Sequence, residues 1–280
     1  MSIGEEKTYR QMSKLFLRSL YLMLLTLCLP SMASAETVAK IGDTPYATLA
    51  EAVSAAQAGE TVEITVAGEY TVPGISKNIT IKGGVDGVVF NHTTAGNIAS
   101  IPNGATFENV TFNFGNENYH GFQHAGTINM EGCKLNGKFF SYGNMNFTNC
   151  QFKHSGDYHM WVYGPGTVTY TNCTFTNNGK FLHLYNESAQ DVTVNVTGCT
   201  FVNTGNANKA AINVKATCPE KGNILKYSVN VENSTAEGAF PAASSSDALV
   251  VLNPLVQVDK RPANPTTTEQ ISITAENNEV

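Results

Sequence analysis

An eight-residue phrase recurs through the middle of this chain and limits its possible folds more than any other feature. Apolar and polar residues alternate, an Asn or Gly interrupts them, and a Cys or Val follows with another apolar residue two positions on. The copies are ATFENVTF (105–112), INMEGCKL (128–135), MNFTNCQF (145–152), VTYTNCTF (168–175) and VNVTGCTF (194–201), with weaker ones at ITIKGGVD (79–86) and VNVENSTA (229–236). Imperfect repetition at this spacing is the mark of a solenoid, in which each repeat buries its apolar face only by stacking on its neighbours.

Period-two alternation within each copy makes the phrase strand material with one buried face. The interrupting residues are Asn109, Gly132, Asn149, Asn172 and Gly198. Asn and Gly tolerate a left-handed backbone, so one such residue between two strand pieces bends the chain sharply without a loop. A third apolar piece follows in most repeats: FFSYG (139–143), MWVYG (160–164), FLHLY (181–185) and AINV (211–214). Three short strands per turn, stacked in parallel, predict an all-β, right-handed parallel β-helix over residues 36–258. The interrupting residues stand 23, 17, 23 and 26 positions apart, which assigns the loops to the other two corners.

The ends of such a stack need covers. Thr48-Leu49-Ala50-Glu51 is a capping box, and LAEAVSAAQA after it has helical spacing with Gly59 as its stop. An N-terminal cap is therefore expected over 36–60, with Leu49, Ala52, Val53 and Ala56 as the helix's apolar face. KIGDTPY and VEITV should supply the first incomplete turn. ALVVLNPLVQV should form the last strands, and 259–280 reads as a linker or tail with ISITAE as a lone strand candidate.

Residues 1–35 read as a secretory signal: Lys14 and Arg18 precede the apolar run LYLMLLTLCL, and Ala33-Ser34-Ala35 offers small residues for cleavage. Its removal leaves 13 basic and 21 acidic residues, a net charge of −8, with Arg261 the sole arginine. Such a chain repels nucleic acid and anionic lipid, and no membrane insertion is expected after signal cleavage. The expected location is extracellular, secreted or at the cell surface. Cys133, Cys150, Cys173 and Cys199 share one slot of the phrase and should stack as buried free thiols, because parallel Cβ vectors suit disulfide geometry poorly.

The arrangement resembles the secreted right-handed parallel β-helix proteins of bacteria, the superfamily that includes the pectate lyases. The opening KIGDTPYATLAEAVSAAQAGETVEI looks like the entry segment of many bacterial surface and secreted members. The resemblance implies an architecture shared by lyases, hydrolases, phage tailspikes and adhesins, and it carries over no catalytic motif. Pectate lyases need an arginine by the scissile sugar and aspartates on calcium. Here the repeats contain no arginine, and Asp157 and Asp191 stand alone in the coils.

Tyr119, His120 and His124, then His154, Asp157 and His159, then His183 and Tyr163 are the residues from which a lyase or hydrolase site would have to be built. Nothing fixes a nucleophile, base and orienting partner together, and no residue set calls for a cofactor. The third strand is more telling. With Phe139, Met160 and Leu182 inward beside Ser141, Val162 and Leu184, an outward stripe follows: Phe140, Trp161 and His183 beside Tyr142, Tyr163 and Tyr185. In a competing register, suggested by Ile212 and Val214, these rings stack inside the core. Aromatic rings with polar tips suit sugar faces or a protein partner. Threonines at 148, 171 and 197, with those at 111, 174 and 200, form further outward columns that Lys134 and Gln151 interrupt.

The expected function is a non-catalytic recognition protein, adhesin-like or glycan-binding, whose partner is a polysaccharide or a glycan or protein of a cell surface. A polysaccharide lyase or glycoside hydrolase, or a structural spacer of a bacterial surface, are the alternatives.

Overall fold

A computed structural model describes residues 36–279 apart from 93–95, 102–103, 116–119, 125, 142, 163–165, 186–190, 207–208, 216, 219–222, 225, 247–248 and 260–270. The expected signal segment, the 262–270 part of the tail, and Tyr119, Tyr142 and Tyr163 lie outside the described residues.

The phrases stack in register, as their matching letters require. In the first sheet Phe107 lies beside Met130, then Phe147, Tyr170, Val196 and Val231. In the second, Phe90 is followed by Phe112, Leu135, Phe152, Phe175 and Phe201. In the third, Phe139 is followed by Met160, Leu182, Ile212 and Val256. The chain visits the three sheets in turn, so neighbours within a sheet are one coil apart in sequence. The result is an all-β, solenoid-like fold of long parallel sheets around one apolar core.

The core is ordered by like packing on like. Phe152, Phe175 and Phe201 stack face to face, with centroids 4.5 and 4.7 Å apart. Phe147 stacks on Tyr170 at 5.2 Å. The Tyr170 hydroxyl, fully enclosed, donates to Met160 Sδ at 2.9 Å. Each such ring contributes a few kcal/mol of burial, with ring pairing adding about 0.5–1.5 kcal/mol.

The bends behave as their residue types dictate. Asn109, Asn149, Asn172 and Asn233 have φ of 53°, 54°, 52° and 50°, and Gly132 and Gly198 occupy the same slot at 61° and 65°. The glycines serve a further purpose. A Cβ on Gly132 would collide with Asn109 Oδ1, and one on Gly198 with Asn172 Oδ1. Each glycine makes room for the asparagine of the coil before it.

Immediately after the bends the four cysteines stack as buried free thiols, as their shared slot predicts. Cys133, Cys150 and Cys173 each reach a carbonyl of the preceding coil, at Phe107, Met130 and Phe147. Sulfur–sulfur hydrogen bonding and burial push Cys133 and Cys173 far up, so these thiols stay protonated. Cys218 has no described side chain.

Both ends depart from expectation in detail. The helix covers Leu49–Ala55, with the Thr48–Glu51 capping box formed by two 3.2 Å hydrogen bonds. It stops short of Gly59 because Ala56 is already extended (ψ 140°), turning the chain toward strand Thr61–Ile64. Leu49, Ala52, Val53 and Ala56 are buried. The opening segment forms a hairpin, not a parallel turn: Ala39–Ile41 pairs antiparallel with both Thr44–Tyr46 and Thr61–Ile64. Pro45 sits on the outer strand of that hairpin, where a missing N–H is harmless and blocks further pairing. At the other end Leu249–Asn253 folds back antiparallel on Val256–Asp259. The sheet also continues past the expected boundary at 258. Ile271–Glu276 adds in parallel to Lys226–Glu232, and Asn277 repeats the bend at φ 52°.

Candidate binding surfaces

The third sheet carries the rings singled out from the sequence. Its inner side is Phe139, Met160 and Leu182, with Ser141, Val162 and Leu184, all fully enclosed. Ile212 pairs with Leu182 and Val214 with Leu184, so that repeat supports this register instead of opposing it. Phe140, Trp161 and His183 therefore form a separate column on the other side of the sheet, continued by Asn213 and Gln257. Phe140 stacks on Trp161 at 5.5 Å, and Trp161 meets His183 edge-on at 4.5 Å.

The expected open stripe is instead a packed outer cluster. Phe140 is 3% exposed and His183 7%, while Trp161 and Tyr185 are half-buried. The cover comes from the loop before Met160, whose Tyr158 ring stacks on His183 at 4.6 Å. Lys138 completes it, its ammonium 4.9 Å over the Trp161 ring and 2.8 Å from Asp157. Two adjacent aromatic rings on an outer face would otherwise expose a large apolar area, and a ring plus a lysine stem removes it from water.

Beyond the rings the column turns polar and fully paired. Asn213 Nδ2 donates to His183 Nδ1 at 2.9 Å and to Asp259 at 3.1 Å. Gln257 donates to Asn213 Oδ1 at 2.7 Å and accepts from the Ala210 N–H at 2.6 Å. Because Nδ1 of His183 accepts, the ring proton resides on Nε2. Burial lowers His183 to about 4. His159, 1% exposed, donates Nε2–H to the Thr176 carbonyl at 2.8 Å, and burial lowers it to about 3. Both rings are neutral near pH 7.

The residues considered for chemistry are otherwise engaged. Burial would raise Asp157, but its hydrogen bonds from Lys138 and the Tyr158 N–H, with the charges of Lys138 and Lys180, hold it below the usual carboxylate range. His154 lies 5.8 Å from His159, ring to ring, and burial lowers its basicity too. Among the described residues no three His, Cys, Asp or Glu side chains converge on a point that could hold a metal ion. His120 and His124 lie on a described strand, but their side chains are outside the described set.

The outer face of the first sheet is open to solvent. Thr80, Thr106, Asn129, Asn146, Thr169, Asn195, Asn230 and Thr274 follow one another in register as one column. Beside it runs a second column of Lys82, Glu108, Glu131, Thr148, Thr171, Thr197 and Glu232. None of these side chains is buried. Asn146 donates to Asn129 at 3.0 Å and Asn230 to Asn195 at 2.9 Å. A depression of about 490 Å³ lies over Thr106, Asn129, Glu131, Asn146, Thr148 and Thr169. A smaller hollow of about 260 Å³ lies at the bends, but the N–H groups of Asn109 and Gly132 there already donate to the Glu131 and Thr148 carbonyls.

The threonine column at 148, 171 and 197 is visible in the sequence, and the structure sets a column of asparagines and threonines beside it. Alternation places Asn129, Asn146 and Asn195 on the outer face, but their alignment with Thr106 and Thr169 in one column becomes legible only once the coils are in register. No known protein family, curated protein or solved structure matches this chain.

Proposed function

We propose that this chain is a secreted, non-catalytic recognition protein that binds a polysaccharide or cell-surface glycan on the outer face of its first sheet. We take the coils as a right-handed parallel β-helix, the hand that parallel crossovers overwhelmingly adopt. Helix Leu49–Ala55 then serves as the N-terminal cap.

The observation that carries the reading is the registered array of hydroxyl, amide and carboxylate groups over the 490 Å³ depression. Coils repeat at about 4.8 Å, so the array offers hydrogen-bonding groups at regular intervals along the stack. A linear glycan presents hydroxyls in the same repetitive manner. The asparagine ladders fix their own rotamers, and a side chain already held loses little entropy on binding. Each laddered amide keeps a second N–H and a carbonyl lone pair for a ligand.

The test is a glycan array probed with the wild-type protein and with an Asn146→Ala/Thr169→Val variant whose fold is checked by circular dichroism. Binding of defined glycans by the wild type, weakened tenfold or more in the variant, supports the reading. An equal pattern for both proteins, or release of unsaturated or reducing-end products from bound polysaccharides, overturns it.

A further inference from the structure

We infer that the outer cluster of the third sheet is a second site, for an oligosaccharide bearing anionic substituents. The inference shares with the preceding proposal only the assumption that the partner is a glycan.

The cluster is bracketed by lysines. Lys180 places its ammonium 5.5 Å over the Tyr158 ring, Tyr158 stacks on His183 at 4.6 Å, and His183 stacks on Tyr185 at 5.9 Å. Lys215 closes the far side, 3.9 Å over the Tyr185 ring. Two ammonium groups thus flank a stack of three rings. Lys138 and Lys209 lie on the same face, paired with Asp157 at 2.8 Å and Asp259 at 3.4 Å. Lys180 shares Asp157 at a longer 3.8 Å, and Lys215 has no ion pair among the described residues. Among the described residues four lysines therefore meet two aspartates, a local positive excess on a chain that is acidic as a whole.

That charge fits an anion, and its distribution fits more than a single one. A lone phosphate or carboxylate would engage one lysine. Substituents on successive sugars can reach Lys180 and Lys215 together, with the half-buried Trp161 and Tyr185 lying between the two ammonium groups. Sulfate esters and uronate carboxylates share this chemistry.

The experiment is calorimetric titration with three length-matched oligosaccharides, one sulfated, one a polyuronate and one neutral, at low and at physiological salt. The proteins are the wild type, Lys180→Gln/Lys215→Gln and Asn146→Ala/Thr169→Val. Both lysines are solvent-accessible, so the double variant should keep the wild-type melting temperature. At least one anionic probe is expected to bind tenfold or more tighter than the neutral one, to weaken as salt rises, and to lose that advantage in the lysine variant alone. Binding by only one anionic probe assigns the substituent. Anionic probes that bind no tighter than the neutral one, or that bind the lysine variant unchanged, overturn the inference. Neutral binding lost only in the first-sheet variant leaves the first proposal standing whatever the lysines do.

Discussion

Asn146 Nδ2 donates to Asn129 Oδ1 at 3.0 Å, joining two coils through side chains that lie on an accessible face. The same bond recurs between Asn230 and Asn195, and on the second sheet Asn136 donates to Asn113 and Asn113 to Asn91, at 2.9 and 3.0 Å. Such pairs stabilise the stack and hold the amides still. Removing one by Asn146→Ala is expected to cost about 0.5–1.5 kcal/mol in urea denaturation. The same variant should weaken glycan binding by more than that stability change accounts for.

The bends give a sharper stability test. Asn149 has φ of 54°, and a residue with Cβ but no polar side chain pays roughly 1–2 kcal/mol there. Asn149→Ala should lower the urea midpoint, and Asn149→Gly should retain most of the wild-type value. Gly198→Ala should be worse than either, since its Cβ also meets Asn172 Oδ1.

Stability should fall in mild acid. Burial holds His183 at about 4 and His159 at about 3, against 6.5 when unfolded. The unfolded chain then binds more protons than the folded one between those values. The stabilisation is complete above pH 6.5 and is lost as pH drops toward 4 and then 3. Asp157, held below 3.8, acts only in a lower window. Melting temperatures should decline between pH 7.5 and 5, and His159→Phe, whose ring neighbours include Phe152, Phe175 and Phe181, should flatten the decline.

The thiol column should be inert while folded. Cys133, Cys150, Cys173 and Cys199 are each at most 1% exposed, so a thiol reagent should label them only on unfolding. Val110 fills the same slot one coil earlier. Cys133→Val should accordingly cost less than about 1.5 kcal/mol.

Much of the architecture was legible because a solenoid writes its contacts as repetition. Asn109, Gly132, Asn149, Asn172 and Gly198 all sit where a left-handed bend was expected, and the cysteines after them stack. The terminal strand Ile271–Glu276 was not legible as part of the stack, since Ala275 and Asn278 replace the larger apolar residue and the cysteine of other copies. The cover over Phe140 and His183 was equally hidden. Alternation assigns a side chain to a face, but whether Tyr158 and Lys138 close over that face depends on a loop whose path no periodicity encodes.

The most direct measurement follows the side-chain amide resonances of Asn129, Asn146, Asn195 and Asn230 while the best array ligand is titrated into the protein. Saturable shifts in these amides, with the bend residues Asn149 and Asn172 unmoved, are predicted. Saturating glycan binding that leaves all four laddered amides unshifted would contradict the assignment of the first-sheet face.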